Sequence, residues 1–199
     1  VVQGLDLERR WHRKQTRTMG RVALLATHAT EQALTMAGLL GDEILSSGHT
    51  GLAYGSTSGS SEALADFCTT LFAHMNMRGL QSTSFLRFMA HTCAANLSQF
   101  FAIRGRIIPT NSACTSGAQA IGYAYESIKY GLQEVMIAGG ADEMHFTTAV
   151  TFDLMFATYE RVGLKRLLTE YLGERPVLSA NKGTLRRARV EGKTDWHQD

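Results

Sequence analysis

The chain has 199 residues, 44% hydrophobic and 19% charged, an ordinary globular balance long enough to bury a core as one large domain or part of a bigger body. Its three cysteines, an odd number at unrelated spacings, argue against a disulfide framework and suit a reducing compartment. No apolar stretch nears the ~20 residues that cross a bilayer and no secretory signal is visible, so no membrane role is expected and the cytoplasm is the expected place.

A net charge of +2 hides an uneven distribution. Arg9, Arg10, Arg13, Lys14, Arg17 and Arg21 crowd the start, against only Asp6 and Glu8. On charge alone this is a solvated basic face. Nucleic acid is not expected as a partner, because the interleaved aromatic is a single Trp11 and the middle of the chain is not basic. Met19, Val22, Ala23, Ala26, Ala33, Leu34 and Ala37 then mark a helix packed on the body.

Leu52-Ala53-Tyr54 is a short strand before Gly55-Ser56-Thr57-Ser58-Gly59-Ser60-Ser61. That loop lacks the Gly-Lys-Ser/Thr ending of a phosphate cradle. It also has Thr57 where a serine-hydrolase elbow needs serine. The better reading is a strand-to-helix connection with Ser60 or Ser61 as N-cap. Helical patterns follow over about 62–79 and 85–103, and Arg106 to Thr110 form the next strand. Pro109 within it points to a sheet edge.

Pro109 to Ala118 reads as that strand ending at the mouth of a helix, with Cys114 at the junction. A helix leaves its first amides unpaired, and they favour an anion beside them. A thiol so placed loses its proton more readily than a free cysteine. Ser112, Ala113, Ser116 and Gly117 are small enough for a substrate carbonyl to approach, and the same amides can hold an oxyanion. The plainer alternative for any cysteine here is a small buried hydrophobe, which Cys68 and Cys93 fit inside helical patterns.

Ala118, Ile121, Tyr125, Ile128 and Leu132 form the stripe expected to pack this helix on a sheet, and Gly131 closes it. Val135 to Ala138, ended by Gly139-Gly140, is expected as a buried parallel strand. Strand, cysteine, helix and strand make a βαβ unit, with the sulfur at a strand's C-terminal end where α/β sheets keep their sites. Farther on, Leu164 to Leu172 reads as a helix, and Arg189 to Asp199 as a frayed polar tail. None of the seven histidines falls in a metal-ligand spacing, so no metal site is expected.

The run Ala113-Cys114-Thr115-Ser116-Gly117, followed by Ala138-Gly139-Gly140-Ala141-Asp142-Glu143 and Phe152-Asp153-Leu154-Met155, resembles the active-site segment of the β-ketoacyl-acyl carrier protein synthases. Ile103-Arg104-Gly105 is similar to the family's turn before the cysteine strand, and Gly51 to Ser56 to an earlier strand and its loop. The likeness runs from about Arg10 to Thr158. It implies an α/β fold, the N-terminal half of a thiolase-like α-β-α layered body with a mixed sheet and helices on both faces. Residues 1–158 would be the synthase N-terminal-like domain and 159–199 a divergent, truncated segment.

The resemblance implies an acyltransferase of fatty-acid or polyketide synthesis, with the acyl-thioester intermediate on Cys114 and acyl and malonyl thioesters as substrates. It implies acyl carrier protein as partner, docked on Arg13, Lys14 and Arg17, and a homodimer paired through the strand that holds Pro109. No metal or dissociable cofactor is implied. The family's two histidines, and a Lys-x-x-x-Gly-His segment supporting one of them, have no match here. Arg186-Arg187 stand where Gly-His is expected. Acyl transfer onto Cys114 is therefore expected, and condensation by these residues alone is not. The alternatives are a non-catalytic carrier-binding or dimerisation module of the same fold, which usually lacks the cysteine, and a thiolase acting on coenzyme A.

Overall fold

The computed structural model describes residues 6, 7, 9–173, 176–179 and 184–187. Glu8 and the tail from Arg189 lie outside them. Described residues up to Glu143 form one compact unit and those from Met144 a second.

In the first unit a short helix, α1 (Arg13–Thr16), precedes α2 (Arg21–Met36). His12 opens α1, its Nδ1 accepting the Lys14 amide hydrogen at 3.2 Å. Most of the predicted α2 stripe is buried: Met19, Val22, Ala23, Ala26 and Leu34. Ala33 and Ala37 lie outside that arc and are exposed. Three parallel strands follow, β1 (Thr50–Gly55), β2 (Ile107–Thr110) and β3 (Val135–Gly140), in the order β2-β1-β3. The described strands of this sheet pair only in parallel, a narrower arrangement than the expected mixed sheet. Pro109, opposite Tyr54, does lie on an edge strand, where its missing N–H costs least.

Successive residues of β1 point to opposite faces. Leu52 and Tyr54 join Val22, Ala26, Leu34, Cys93, Ala94 and Leu97 in the main core, beneath α2 and α4 (Thr92–Phe100). Ala53 faces the other way, onto α5 (Ser116–Lys129). Helices thus cover both faces of the sheet.

The helix expected over 85–103 is broken. A single 3-10 turn occupies Phe85–Arg87 and α4 begins only at Thr92. The Thr92 hydroxyl lies 2.7 Å from Leu86 O and 2.6 Å from Met89 O, offering those carbonyls a partner outside the helical ladder. The preceding helix, α3 (Ser61–His74), stops at Met75, whose left-handed φ of 49° ends it short of 79.

The α5 stripe is inverted relative to expectation. Ala120, Ala124 and Ser127 face the sheet, and the larger Ile121, Tyr125 and Ile128 point outward, 60%, 62% and 49% exposed. Close approach is the cause. A Cβ on Gly55 would sit 2.5 Å from the Ser116 carbonyl, and one on Gly140 would sit 3.0 Å from Gly117 Cα. At that separation only small side chains fit between helix and strands. β3, the other edge of the three described strands, is half-buried, less enclosed than its apolar sequence predicts. Gly131 ends the helix with φ 68°, as expected.

The second unit contains α6 (Phe146–Arg161), which runs continuously past Thr158, and α7 (Leu164–Leu172). An antiparallel pair, β4 (Pro176–Ser179) with β5 (Thr184–Arg187), follows. Arg186 and Arg187 lie in β5.

Candidate active site

Cys114 is exposed, four residues past β2 and two before α5 begins. It is neither sealed in the core nor carried inside a helix. The chain reaches it through Ala113, a non-glycine residue in the left-handed region at φ 51°. Such a backbone costs about 1–3 kcal/mol and persists where surrounding bonds over-determine it.

Those bonds are present. The Ser116 amide and hydroxyl both donate to Ala113 O, at 3.0 and 2.6 Å. Ser116 Oγ also accepts the Ser112 amide hydrogen at 2.9 Å, and the Thr115 amide donates to Ser112 O at 3.2 Å. Thr110 Oγ1 donates to Ser116 O at 2.8 Å, tying the end of β2 to the first turn of α5. Thr115, the N-cap residue, makes no side-chain bond to that turn, so the helix mouth beside the sulfur carries no side-chain cap.

A second layer of contacts was not legible from the sequence. Asp142, just beyond β3, accepts from Ser56 Oγ at 2.9 Å and the Thr57 amide at 2.8 Å through Oδ1. Its Oδ2 lies 2.8 Å from Thr57 Oγ1, which is also 3.1 Å from Ala113 O. Glu143 Oε1 accepts the Glu62 amide hydrogen at 2.8 Å and so serves the first turn of α3. The Gly-Gly-Ala-Asp-Glu motif was visible as a motif. The readable signal for its role was an acidic pair ending one parallel strand beside a Ser-Thr loop ending its neighbour.

Cys93 is a structural thiol. It is 3% exposed, and burial first, then the Asp142 charge, push its pKa up to about 12. Burial also raises the neighbouring Tyr54 hydroxyl above its usual range, with Cys93 adding and a hydrogen bond with Thr30 opposing.

Arg13, Lys14 and Arg17 are brought together on one cleft of about 890 Å³, which His12 and Arg87 also line. Cys114 is not among the residues lining it. Among the described residues no group of three or more His, Cys, Asp or Glu is arranged to hold a metal ion, and no helix is long and apolar enough to cross a membrane.

A family model described as beta-ketoacyl synthase, N-terminal domain, matches residues 6–160. The chain belongs to this family. Among curated relatives, the 3-oxoacyl-acyl-carrier-protein synthase 1 of Haemophilus influenzae is 34% identical over 145 residues, 73% of this chain and 36% of that protein. The Escherichia coli K12 protein of the same name is 30% identical over 145 residues, with the same 73% and 36% coverage. A beta-ketoacyl synthase structure from Burkholderia phymatum matches with a TM-score of 0.71 and 47% identity, covering 78% of this chain and 38% of that one. The chain therefore spans less than half the length of these relatives. The thiolase-like α/β fold expected from the resemblance holds.

Proposed function

We propose that the chain is the cysteine-bearing part of a β-ketoacyl-acyl carrier protein synthase of fatty-acid or polyketide synthesis, with Cys114 as the acyl acceptor. The observation that supports this most is the exposed sulfur on a left-handed turn between the end of a parallel strand and a helix start without a side-chain cap. Small neighbours leave room for a thioester carbonyl, and the positive end of the α5 dipole favours the oxyanion formed on attack. The Cys114 thiolate attacks the carbonyl carbon of an acyl-carrier thioester. A new carbon–sulfur bond forms, the bond to the carrier's sulfur breaks, and that thiolate leaves to take up a proton. Condensation would follow by decarboxylation of a malonyl thioester and attack of the carbanion on the acyl-cysteine. The histidines that the family resemblance implies for that step have no counterpart in these 199 residues.

In this reading Arg13, Lys14 and Arg17 receive the acidic carrier, since one cleft gathers their positive charge and exposed cations steer association. The edge position of β2 supports homodimer formation through that strand, because pairing would cover an otherwise open edge. Incubation with an acyl-carrier thioester should give one acyl adduct by intact mass, absent in Cys114→Ala. It should slow at least tenfold in a chain carrying Arg13→Glu, Lys14→Glu and Arg17→Glu. A wild-type chain that binds carrier yet stays unlabelled would favour the non-catalytic carrier-binding module.

A further inference from the structure

The geometry points to Asp142 as a positioning residue that acts through Thr57 to hold the Ala113 turn and thereby aim the Cys114 sulfur. This deepens the reading above and rests on Cys114 being the acyl acceptor. Ala113 is the peptide immediately before the sulfur-bearing residue, and its positive φ is the least favourable backbone angle in the turn. Three donors lie within reach of its carbonyl: the Ser116 amide and hydroxyl from within the turn, and Thr57 Oγ1 from a different strand's loop. Among the described residues, Thr57 is the donor that reaches the Ala113 carbonyl from outside the turn's own segment. Thr57 is itself held at two points by one carboxylate, its amide on Asp142 Oδ1 and its hydroxyl on Oδ2. Ser56, the neighbouring residue, is held by the same oxygen and accepts the Gly59 amide hydrogen at 3.1 Å, so the loop has little freedom to shift.

The Thr57 hydroxyl has one proton, which it donates alternately to Asp142 Oδ2 at 2.8 Å and to Ala113 O at 3.1 Å, while the Thr57 amide stays on Asp142 Oδ1 and holds the hydroxyl beside the turn in either case. The link spans the ends of all three strands: β1 leads into Thr57, β2 leads into Ala113, and β3 leads into Asp142. A rearrangement at any of the three strand ends is thus transmitted to the sulfur. Reactions that depend on near-attack placement lose on the order of 10²-fold for a 1 Å error, so a small relaxation of Ala113 has a kinetic signature.

The test uses the 199-residue chain with Thr57→Val, which keeps the volume and deletes the hydroxyl, Thr57→Ser, which restores it, and Asp142→Ala. Three readouts are taken at a temperature where every variant tested is folded: melting temperature, Cys114 alkylation by iodoacetamide, and Cys114 acylation by an acyl-carrier thioester. Thr57→Val and Asp142→Ala should slow acylation at least tenfold and change the alkylation rate at least threefold. Thr57→Ser should stay within about twofold of wild type in both. Should Asp142→Ala fail to fold, the Thr57 pair decides alone. Wild-type rates in Thr57→Val, with only a lower melting temperature, would overturn the proposal by making the contact mere scaffold. A wild type that alkylates but is never acylated refutes the acyl-acceptor reading instead, and the Thr57 alkylation comparison still decides whether the turn is held as described.

Discussion

Ser60 Oγ accepts the amide hydrogen of Val22 at 3.0 Å, across 38 residues of chain. Ser60 occupies the N-cap position of α3, yet its hydroxyl completes the first turn of α2, whose own N-cap, Gly20, has no side chain. One buried serine therefore joins the starts of two helices, and Gly20 lets it come close.

Replacing Ser60 by alanine should therefore destabilise α2 as loss of a helix cap does. The expected cost is ~1 kcal/mol, a fall of roughly 2–4 °C in Tm for a chain of this size. Urea unfolding checks it, and faster hydrogen exchange should centre on the Val22 amide. If the change appears instead at the start of α3, the assignment of this cap is wrong.

Which face of α5 carries the packing is directly measurable. Ala124→Leu would force a larger side chain into the gap that Gly55 and Gly140 keep narrow, and overpacking of this kind costs about 1–3 kcal/mol. Ile121→Ser, on the outward side, should change stability by no more than about 0.5 kcal/mol. Equal penalties at the two positions in denaturant titrations would contradict the inverted stripe.

The buried Cys93 makes an alkaline prediction whose sign is fixed. Its folded pKa, about 12, lies above its ordinary value near 9, so the unfolded chain ionises first as pH rises. The folded state has its full advantage below pH 9 and loses it through the interval up to about 12. Within that window Cys93 should contribute a decline of about 1.4 kcal/mol per pH unit. Cys93→Ala should show a shallower decline from pH 9 to 10.5 in chemical unfolding. An unchanged slope would mean that Cys93 does not ionise differently in the two states.

Much of the site's location was legible in the chain because it depends on neighbours in sequence. A strand-forming run, a proline unsuited to a sheet interior, small residues and a helical period put Cys114 at a strand–helix junction. The same locality explains why Gly131 was a readable helix stop. The turn's left-handed residue was not legible, because Ala113 is stable there through bonds from Ser116 and Thr57 rather than through its own preference. The helix expected over 85–103 breaks for a related reason: its apolar period continues, but the Thr92 hydroxyl lies between Leu86 O and Met89 O and offers its one proton to either outside the ladder.

By itself, the sequence determined the order of β1, β2, α5 and β3, the junction at Cys114, the basic start and the family motif, all set by short-range pattern and residue chemistry. Only the tertiary structure decided which side of α5 meets the sheet, which helix Ser60 serves, and that Asp142 reaches Ala113 through Thr57. Periodicity specifies that a helix has faces, but the distance to the opposing strands selects among them. Hydrogen bonds across 56 and 85 residues exist only once the sheet has brought its strand ends together.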